Sequence, residues 1–399
     1  MTTHFFLEEN ISRANKDNLI NYYVSYGSHK QLKLVVTGGA GFIGSNLANA
    51  LVRLDLEQTK EYTKSVKETN AETGNKEDRK HDNYIERNTR DPGNINEVIA
   101  VDDLSLGSPS NLSPKVSFVK GSVMDEDLIQ TLTKGCDYIF HQAALSSSPM
   151  FIDDPRKGLG VNVMGFMNVM ESAKRNKVKK VIYASSSSLY NGLPGPYKET
   201  AVISPKTFYE SSFLCREITA KTYYLEHGVN SVGLRYFSVY GPNEKHKGKF
   251  ANNISQFIWD IQKGKNPVIY GDGSQSRDFT FVDDVVQANI LAMIKEEQQQ
   301  KIPPYNYSEN EGDNHDVPYN IYNVGTGTET SFNQVIEIIN KLLGTEIRPI
   351  YVNNPIHNYV QHTRADISKA KSELGYQPKW MEVEVGIREL LTYSAQLVT

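Results

Sequence analysis

The chain has 399 residues, of which 39% are hydrophobic and 23% are charged, and its formal net charge is −4. This length can bury a large core with a second, smaller lobe, and the slight negative charge argues against a nucleic-acid or anionic-membrane partner. The two cysteines, Cys136 and Cys215, predict a reducing compartment with no disulfide framework and no metal site. Neither a signal peptide nor an apolar run near eighteen residues is found, so we expect a cytoplasmic protein.

Residues 1–31 are predicted to form an N-terminal extension with a short helix around Glu8 to Tyr26. An apolar strand begins at Leu32 and leads into a glycine-rich turn and then a helix with leucines at positions 47, 51 and 54. From about residue 55 to 97 the chain is rich in Lys, Glu, Asn and Thr, which is typical of a solvated insertion. A partner-binding arm is the alternative interpretation of this polar insertion.

After the polar insertion, short apolar strands alternate with helices. The predicted strands are Val98–Val101, Val116–Val119, Tyr138–Phe140, Val181–Tyr183 and Ser231–Leu234, and the clearest helices are Gly165–Asn176 and Tyr209–His227. Strands and helices alternating at this spacing predict parallel strands joined by crossover helices. We therefore expect an α/β fold with a Rossmann-type doubly wound parallel sheet.

The chain is predicted to divide into two lobes. Residues 32–238 and about 278–325 would form the Rossmann domain, whereas residues 239–277 and 326–399 show an irregular, mixed pattern. The latter predict a smaller mixed α/β lobe that binds substrate near the carboxyl ends of the strands. A second polar stretch, Glu296 to Tyr319, is predicted to be another surface insertion.

Three glycines follow the first strand at intervals of three residues, at Gly38, Gly41 and Gly44. The first permits a tight turn, the second lets backbone N–H groups approach a pyrophosphate, and the third lets the helix pack closely on the sheet. Three glycines alone are also compatible with a purely structural turn. Their position between a strand and a helix favours a dinucleotide-binding turn.

An acidic residue ends the next predicted strand, at Asp102. A carboxylate there can bind the ribose hydroxyls of an adenosine and would repel a 2′-phosphate, which favours NAD over NADP. Asp102 comes much later than the usual spacing of roughly 20 residues, and the polar insertion accounts for the delay. The alternative is a turn aspartate that only terminates the strand.

An ordered series of motifs resembles the extended short-chain dehydrogenase/reductase family, specifically its nucleotide-sugar epimerases and dehydratases. The resemblance runs from about Leu32 to Leu397, apart from the two insertions. The motifs are Thr37-Gly-Gly-Ala-Gly-Phe-Ile-Gly44, Val101-Asp-Asp-Leu-Ser-Leu-Gly107, His141-Gln-Ala-Ala144, Ala184-Ser-Ser-Ser-Ser-Leu-Tyr190, Arg235-Tyr-Phe-Ser-Val-Tyr-Gly-Pro242, Gly271-Asp-Gly-Ser-Gln-Ser-Arg-Asp-Phe279 and Ala365-Asp-Ile-Ser-Lys-Ala370.

The resemblance implies an NAD cofactor and a Tyr-centred redox site. It assigns Ser186 and Tyr209 as the catalytic pair, because Pro205 precedes Tyr209 by four residues and Glu217 follows it by eight, as in family members. The tyrosine would act as general base toward a sugar hydroxyl. The implied cofactor-binding residues are Gly38, Gly41, Phe42, Ile43, Gly44, Asp102, Asp103, Ser105, Gly107, Ser122, Val123, Gln142, Ala143, Ala144, Tyr209 and Tyr236.

One position departs from the family's catalytic pattern. Relatives carry a Lys four residues after the tyrosine, and this chain carries Phe213. A phenylalanine can neither lower the pKa of the tyrosine nor hydrogen-bond the nicotinamide ribose. Arg216 lies about 10 Å further along the helix axis, a distance that the side chain is not expected to span to Tyr209. Lys206 lies on the preceding turn. Three interpretations stay open. Arg216 or Lys206 replaces the lysine, the enzyme is slow, or the protein only binds its ligands.

Dehydratases of this family usually carry Thr-Asp-Glu where this chain has three serines, 186–188, so an epimerase is favoured. The other reading of this serine-rich strand end is that Ser185 and Ser188 cap their own backbone. By the resemblance, Thr363 borders the sugar, and its small size favours UDP-GlcNAc and UDP-GalNAc over plain hexoses. The implied substrate-binding residues are Ser146, Ser187, Ser188, Ser238, Asn253, Tyr270, Arg277 and Thr363.

Other departures concern the nucleotide. The family's Gly-Asp at the adenine edge is Gly121-Ser122 here, its Asn after Arg-Tyr-Phe is Ser238, and its late Arg-x-Gly-Asp-Val is Ile356-His-Asn-Tyr-Val360. We expect a homodimer paired through the helices Gly165–Asn176 and Tyr209–His227, as in the family. The leading interpretation is an NAD-dependent UDP-sugar 4-epimerase. The alternatives are an NAD-retaining dehydratase or related oxidoreductase, and a catalytically silent nucleotide-sugar or NAD-binding protein.

Overall fold

The structure is a computed structural model that describes residues 31–54, 96–152, 154–295, 320–354 and 360–396. The predicted helix around Glu8 to Tyr26, nearly all of the polar insertion, the second insertion and most of the segment Ile356–Val360 lie outside these residues. No helix in the described ranges is both long and apolar enough to cross a membrane.

The strands are β1 Lys33–Thr37, β2 Glu97–Asp102, β3 Ser117–Lys120, β4 Tyr138–His141, β5 Lys180–Ser186, β6 Ser231–Tyr236, β7 Val239–Tyr240, β8 Val268–Tyr270, β9 Ser276–Arg277, β10 Thr280–Phe281, β11 Ile321–Val324, β12 Thr330–Ser331 and β13 Ile350–Val352. The α-helices are α1 Phe42–Leu51, α2 Glu126–Leu132, α3 Pro155–Leu159, α4 Gly165–Asn176, α5 Phe208–His227, α6 Asn253–Gln262, α7 Val282–Ile294, α8 Phe332–Leu343 and α9 Val383–Gln396. All five strands and both helices named from the sequence are present, with small differences at their ends.

Seven strands form one parallel sheet in the order β11-β6-β5-β4-β1-β2-β3. The predicted doubly wound Rossmann-type fold is therefore confirmed. The strand order reverses between β1 and β4, and ligands of open α/β sheets bind at such a switch point, beyond the carboxyl ends of the strands. Thr37 and His141 end these two strands and are paired in register there.

Helices cover both faces of the sheet, because alternate residues of each strand point to opposite faces. Leu34 and Val36 of β1 belong to a core that includes α1 and α7, whereas Val35 belongs to a core that includes α2 and α4. A third core gathers α6, α8 and α9 around Phe279 and Phe281. This third core lies largely within residues 239–277 and 326–399, and the exact boundaries of the two lobes stay a prediction.

Helix α5 carries the predicted catalytic tyrosine in its first turn. The Thr207 hydroxyl caps the helix by accepting a hydrogen bond from the Glu210 amide at 3.2 Å. Gly228 ends the helix in the left-handed conformation, with φ of 68°, which a glycine adopts without steric cost. These two caps fix where α5 begins and ends, and so fix Tyr209 beside the carboxyl end of β5.

Candidate active site

The glycine turn leaves room for close backbone approach between β1 and α1. Gly38 has φ of +65°, and a Cβ there would lie 2.7 Å from the Ala143 amide nitrogen. A Cβ on Gly44 would overlap the Gly38 carbonyl oxygen, and the Gly41 amide donates to that same oxygen at 3.1 Å. Side chains would fill this turn, so the glycines fit a pyrophosphate held at the N-terminus of α1.

Asp102 lies directly beside this turn. Its Oδ2 accepts the Ala40 amide at 3.1 Å and its Oδ1 accepts the Leu104 amide at 2.8 Å. Burial raises the pKa of Asp102, and the hydrogen bonds from these backbone amides oppose that rise. Asp102 thus terminates the strand and also places a carboxylate next to Gly41, where an adenosine ribose would lie.

The other predicted cofactor residues all lie beyond the carboxyl ends of the central strands or at the start of α1. Gly107 packs against Ala40 and the Asp102 carboxylate, where a Cβ would lie 2.9 Å from Asp102 Oδ1. The Ser105 amide donates to Asp103 at 2.9 Å. The remaining positions are Phe42 and Ile43 in α1, Ser122 and Val123 after β3, Gln142, Ala143 and Ala144 after β4, and Tyr236 at the end of β6.

Two of these positions join through a residue that the sequence did not single out. The Tyr236 hydroxyl lies 3.2 Å from both Gln142 Oε1 and Asn289 Oδ1, and the Gln142 amide donates to Asn289 at 3.1 Å. Burial raises the pKa of Tyr236, so it stays protonated at ordinary pH. Asn289 lies on α7, distant in sequence, and no motif marks it.

Ser186 and Tyr209 are brought together as predicted from the resemblance. Ser186 ends β5, and its Oγ lies 3.4 Å from the Tyr209 hydroxyl and 2.8 Å from Ser188 Oγ. The half-buried Tyr209 donates a hydrogen bond from its hydroxyl to the Ser146 carbonyl at 3.2 Å. This is the arrangement that a tyrosine base and its serine partner require.

The surroundings of Tyr209 act on its acidity in opposite directions. Burial raises the pKa of Tyr209, whereas the hydrogen bond with Ser186 and the positive charge of Arg216 lower it. The carboxylate of Glu210 adds a smaller upward effect on this pKa. Since the net shift is upward, the phenol holds its proton more strongly than a free tyrosine does.

Phe213 occupies the position at which the family resemblance predicts a lysine. Its buried ring packs edge-on against Tyr209, with ring centroids 5.1 Å apart. The exposed Lys206 places its ammonium beside Gly192, in the turn after β5. A Lys206 replacement for the family lysine therefore has no contact with Tyr209 to support it.

The sequence leaves the reach of Arg216 toward Tyr209 in doubt, and the structure places its guanidinium over Phe213, whose ring contacts Tyr209. Helical side chains lean toward the N-terminus of their helix, so the long arginine lies back along α5. Its guanidinium carbon is 5.0 Å from the centroid of the Phe213 ring. Burial lowers the pKa of Arg216 to about 9, still above neutral pH, so the side chain is charged at pH 7.

A buried ion pair between Arg235 and Glu217 lies next to β5, the strand that ends at Ser186. Arg235 donates to both carboxylate oxygens of Glu217, at 2.8 and 2.7 Å, and the Ser185 hydroxyl donates to the same carboxylate at 2.6 Å. The alternative interpretation, in which Ser185 and Ser188 cap their own backbone, does not describe the Ser185 hydroxyl, which donates to Glu217. It is the Ser186 hydroxyl that accepts the Ser188 amide, at 3.2 Å.

The predicted substrate residues lie in several segments. Arg277 donates to the Ser276 and Gln361 carbonyls at 2.7 and 3.1 Å and lies over the Phe332 ring. The buried Thr363 hydroxyl accepts a hydrogen bond from the Asp278 amide at 3.2 Å. The others are Ser146 after β4, Ser187 and Ser188 after β5, Ser238 after β6, Asn253 at the start of α6 and Tyr270 at the end of β8.

Comparisons with known proteins agree with this geometry. Residues 34–325 match the model of the NAD dependent epimerase/dehydratase family. A Methanocaldococcus jannaschii protein named as a candidate UDP-glucose 4-epimerase is 31% identical over 363 residues, which cover 90% of this chain and 97% of that protein.

Solved structures give the same result. The UDP-N-acetylglucosamine 4-epimerase of Methanobrevibacter ruminantium M1, in complex with UDP-N-acetylmuramic acid, is 28% identical with a TM-score of 0.73. The UDP-glucose 4-epimerase of Thermotoga maritima, with UDP-glucose, is 27% identical with a TM-score of 0.71. Each match covers 92% of this chain and 100% of the other.

A parallel sheet with a glycine turn after β1 and a Tyr–Ser pair at the carboxyl end of β5 is typical of an extended short-chain dehydrogenase/reductase. This chain belongs to the NAD-dependent epimerase/dehydratase family. Its cofactor is NAD, which the glycine turn and the adjacent Asp102 carboxylate fit.

Proposed function

We propose that this protein is a UDP-sugar 4-epimerase that acts on the UDP-GlcNAc/UDP-GalNAc pair. The observation that carries the proposal is the contact between the hydroxyl groups of Tyr209 and Ser186, which lie 3.4 Å apart at the carboxyl end of β5. The names of the relatives support UDP-sugars as the substrate class, since they include 4-epimerases of UDP-glucose and of UDP-N-acetylglucosamine.

Tyr209 acts on the C4 hydroxyl of the sugar. Its phenolate takes the hydroxyl proton during oxidation and returns it during reduction, while Ser186 hydrogen-bonds the same oxygen and orients it. Bound NAD supplies the acceptor, and then the donor, of the hydride exchanged at C4. Between the two half-reactions the 4-keto sugar would have to present its opposite face to the hydride donor, so that C4 is inverted. The tyrosine that took the hydroxyl proton then holds the proton that reduction needs.

The serines after β5 favour an epimerase over a dehydratase. Elimination of water needs an acid at the leaving hydroxyl, and the two positions after Ser186 hold Ser187 and Ser188. The hydroxyl groups of Ser186 and Ser188 lie 2.8 Å apart. Hydroxyl groups accept or donate as needed, so they can bind a sugar in the two orientations that epimerisation requires.

The preference for N-acetylated sugars rests on Thr363. This residue is buried and its hydroxyl is occupied by the Asp278 amide, so it presents a short side chain at its position. Thr363→Tyr should lower kcat/KM for UDP-GlcNAc by about tenfold or more, because overfilling a packed site costs roughly 1–3 kcal/mol. The variant's kcat/KM for UDP-glucose should change less.

The test is incubation of the purified holoprotein with UDP-GlcNAc, UDP-GalNAc, UDP-glucose, UDP-galactose and UDP-glucuronic acid. Proton NMR of the products identifies the epimerised carbon directly. We expect interconversion at C4, fastest with the N-acetylhexosamines. A 4-keto-6-deoxy product would establish the dehydratase alternative, and binding of UDP-sugars without any product would establish the silent alternative.

We also infer a homodimeric cytoplasmic protein that is organised in the two lobes predicted from the sequence. Four large apolar side chains on or next to α4 and α5 are exposed, namely Met164, Met167, Phe208 and Ile218. Since α4 contacts α5 within the chain, these residues belong to one pair of helices. Pairing of two copies through these helices would cover them.

A further inference from the structure

We propose that Arg216 is the positioning residue that supplies the positive charge for the Tyr209 base, in place of the lysine that Phe213 replaces. The proposal deepens the proposed function, because it concerns the base of the same site. It rests on the position of the guanidinium, on how that group is held and on its lack of a carboxylate partner.

The guanidinium is fixed by main-chain carbonyl oxygens from three segments. Arg216 Nε donates to the Asn162 carbonyl at 2.6 Å, Nη2 to the Ala143 carbonyl at 2.8 Å and Nη1 to the Ala184 carbonyl at 3.3 Å. Ala143 lies after β4, in the predicted cofactor-binding loop, and Ala184 precedes the catalytic serine by two residues. The Arg216 guanidinium therefore hydrogen-bonds both the loop after β4 and strand β5, which ends at the serine that contacts Tyr209.

Carbonyl oxygens orient the guanidinium and leave its charge unbalanced. Within the described part of the chain no carboxylate pairs with Arg216. Burial and the charge of Arg216 together lower the pKa of the buried His141 well below its usual value, so that ring is neutral. Its other charge neighbours are the phenols of Tyr183 and Tyr209, of which Tyr209 is the assigned base.

Phe213 contacts both the cation and the base. The guanidinium lies over its ring, and the same ring meets Tyr209 edge-on at 5.1 Å. Phe213 is 3% exposed and Arg216 is fully buried, so little water screens the charge. An unpaired buried cation gains its counterion when Tyr209 loses its proton, which favours the phenolate. The carboxylate of Glu210 acts in the opposite direction, and Ser186 acts in the same direction as Arg216.

The pair of replacements therefore moves the charge along the helix. By the resemblance, the family carries its positive charge four residues after the tyrosine, whereas this chain carries one seven residues after it. The arginine side chain leans back along α5, and its guanidinium lies over the Phe213 ring, which contacts Tyr209.

The experiment measures the titration of Tyr209 itself. The NAD-bound protein labelled with ¹³C-tyrosine is titrated by NMR, and the Tyr209 signal is assigned by its loss in Tyr209→Phe. In Arg216→Met the midpoint should rise by about one pH unit or more, because a nearby cation is removed. Turnover at pH 7 should fall about tenfold for each unit of that rise, since the phenolate fraction falls in proportion.

Three further variants complete the test. Arg216→Lys keeps the charge and should stay close to the parent midpoint. Arg216→Gln keeps N–H donors for the carbonyls but removes the charge, so it decides the question if Arg216→Met does not fold. The double variant Phe213→Lys with Arg216→Met should bring the midpoint back toward the parent value, because a lysine supplies the charge without replacing the structural contacts of Arg216.

An unchanged Tyr209 midpoint in folded, NAD-bound Arg216→Met or Arg216→Gln would overturn the inference. The titration needs no turnover, so its result is independent of the substrate. A protein that is inactive on every UDP-sugar but shows the shifted midpoint contradicts the proposed function and leaves the role of Arg216 standing. An active epimerase whose Tyr209 midpoint does not shift in these variants supports the proposed function and contradicts the role of Arg216.

Discussion

The proposed acid–base chemistry of this protein depends on one phenol, that of Tyr209, whose surroundings raise its pKa. Burial of Tyr209 raises its pKa, and a free tyrosine already has a pKa of about 10. Ser186 and Arg216 oppose the rise without cancelling it. The base is therefore mostly protonated near neutral pH, and its reactivity grows as the solution becomes alkaline.

We predict that Tyr209→Phe abolishes conversion of UDP-sugars while NAD stays bound, because the variant removes only the hydroxyl that transfers the proton. The loss should be about 10²–10⁴-fold, the usual contribution of a general base. Ser186→Ala should lose less, because it removes one hydrogen bond and leaves the base. Turnover numbers and bound NAD per chain check both variants, and full activity in Tyr209→Phe would refute the assignment.

The pH dependence gives a second prediction at this scale. Since the active form of Tyr209 is deprotonated and its pKa is raised, turnover should be low near pH 7 and should keep rising into the alkaline range. Phe213→Lys should move that profile to lower pH by placing an ammonium group against the phenol. Rates of both proteins from pH 6 to 10 test this, and a parent profile that falls above pH 7 would contradict it.

Asp102 carries the prediction about cofactor choice. Its carboxylate should make NAD bind at least about tenfold more tightly than NADP, because a 2′-phosphate would meet a negative charge. Asp102→Asn should reduce this preference by weakening binding of NAD and strengthening that of NADP. Dissociation constants of both cofactors for both proteins are the measurement. Equal affinities in the parent protein would show that Asp102 only terminates β2.

At the scale of single elements, the β1–α1 turn has no room for a side chain at Gly38 or Gly44. A Cβ on Gly44 would overlap the Gly38 carbonyl, so Gly44→Ala should displace α1 from the sheet. We expect about 1–3 kcal/mol of lost stability and at least about tenfold weaker NAD binding. Thermal unfolding and NAD titration measure the two effects.

Gly160→Ala is the matched control for this prediction. Gly160 has a right-handed helical conformation, and a Cβ there would only touch Met124 at 3.8 Å. Alanine is also the better helix former, so this variant should be neutral or slightly more stable. Equal behaviour of the two alanine variants would mean that the close approach at Gly44 carries no special constraint.

At the scale of the whole molecule, the exposed methionines beside α5 predict a second copy. The protein should sediment as a dimer at micromolar concentration, and Met167→Glu should shift it toward monomer by placing a charge in the apolar contact. Met381→Glu is the control, since Met381 is similarly exposed, at 43% against 37% for Met167, but lies away from α4 and α5. A parent protein that sediments as a monomer would rule out the pairing.

Features carried by short stretches of chain were within reach of the sequence. The glycine turn is a short pattern of residues, and the alternation of strands with helices is read from local periodicity. Asp102 lies far beyond the glycine turn in the sequence, but it is recognised because it ends the next predicted strand. The Ser186–Tyr209 pair was assigned through the ordered motifs of the family. The structure places these two residues 3.4 Å apart across the end of β5.

Tertiary structure alone decided how the site is supported. Arg235 on β6 binds Glu217 on α5, and Asn289 on α7 binds Tyr236, which lies about fifty residues earlier. No local pattern encodes these contacts. The same holds for Arg216, whose distance along the helix axis suggested that it falls short of Tyr209. Rise per residue measures the separation of backbones, whereas the position of a long side chain is set by the carbonyl groups and the ring that packing brings around it.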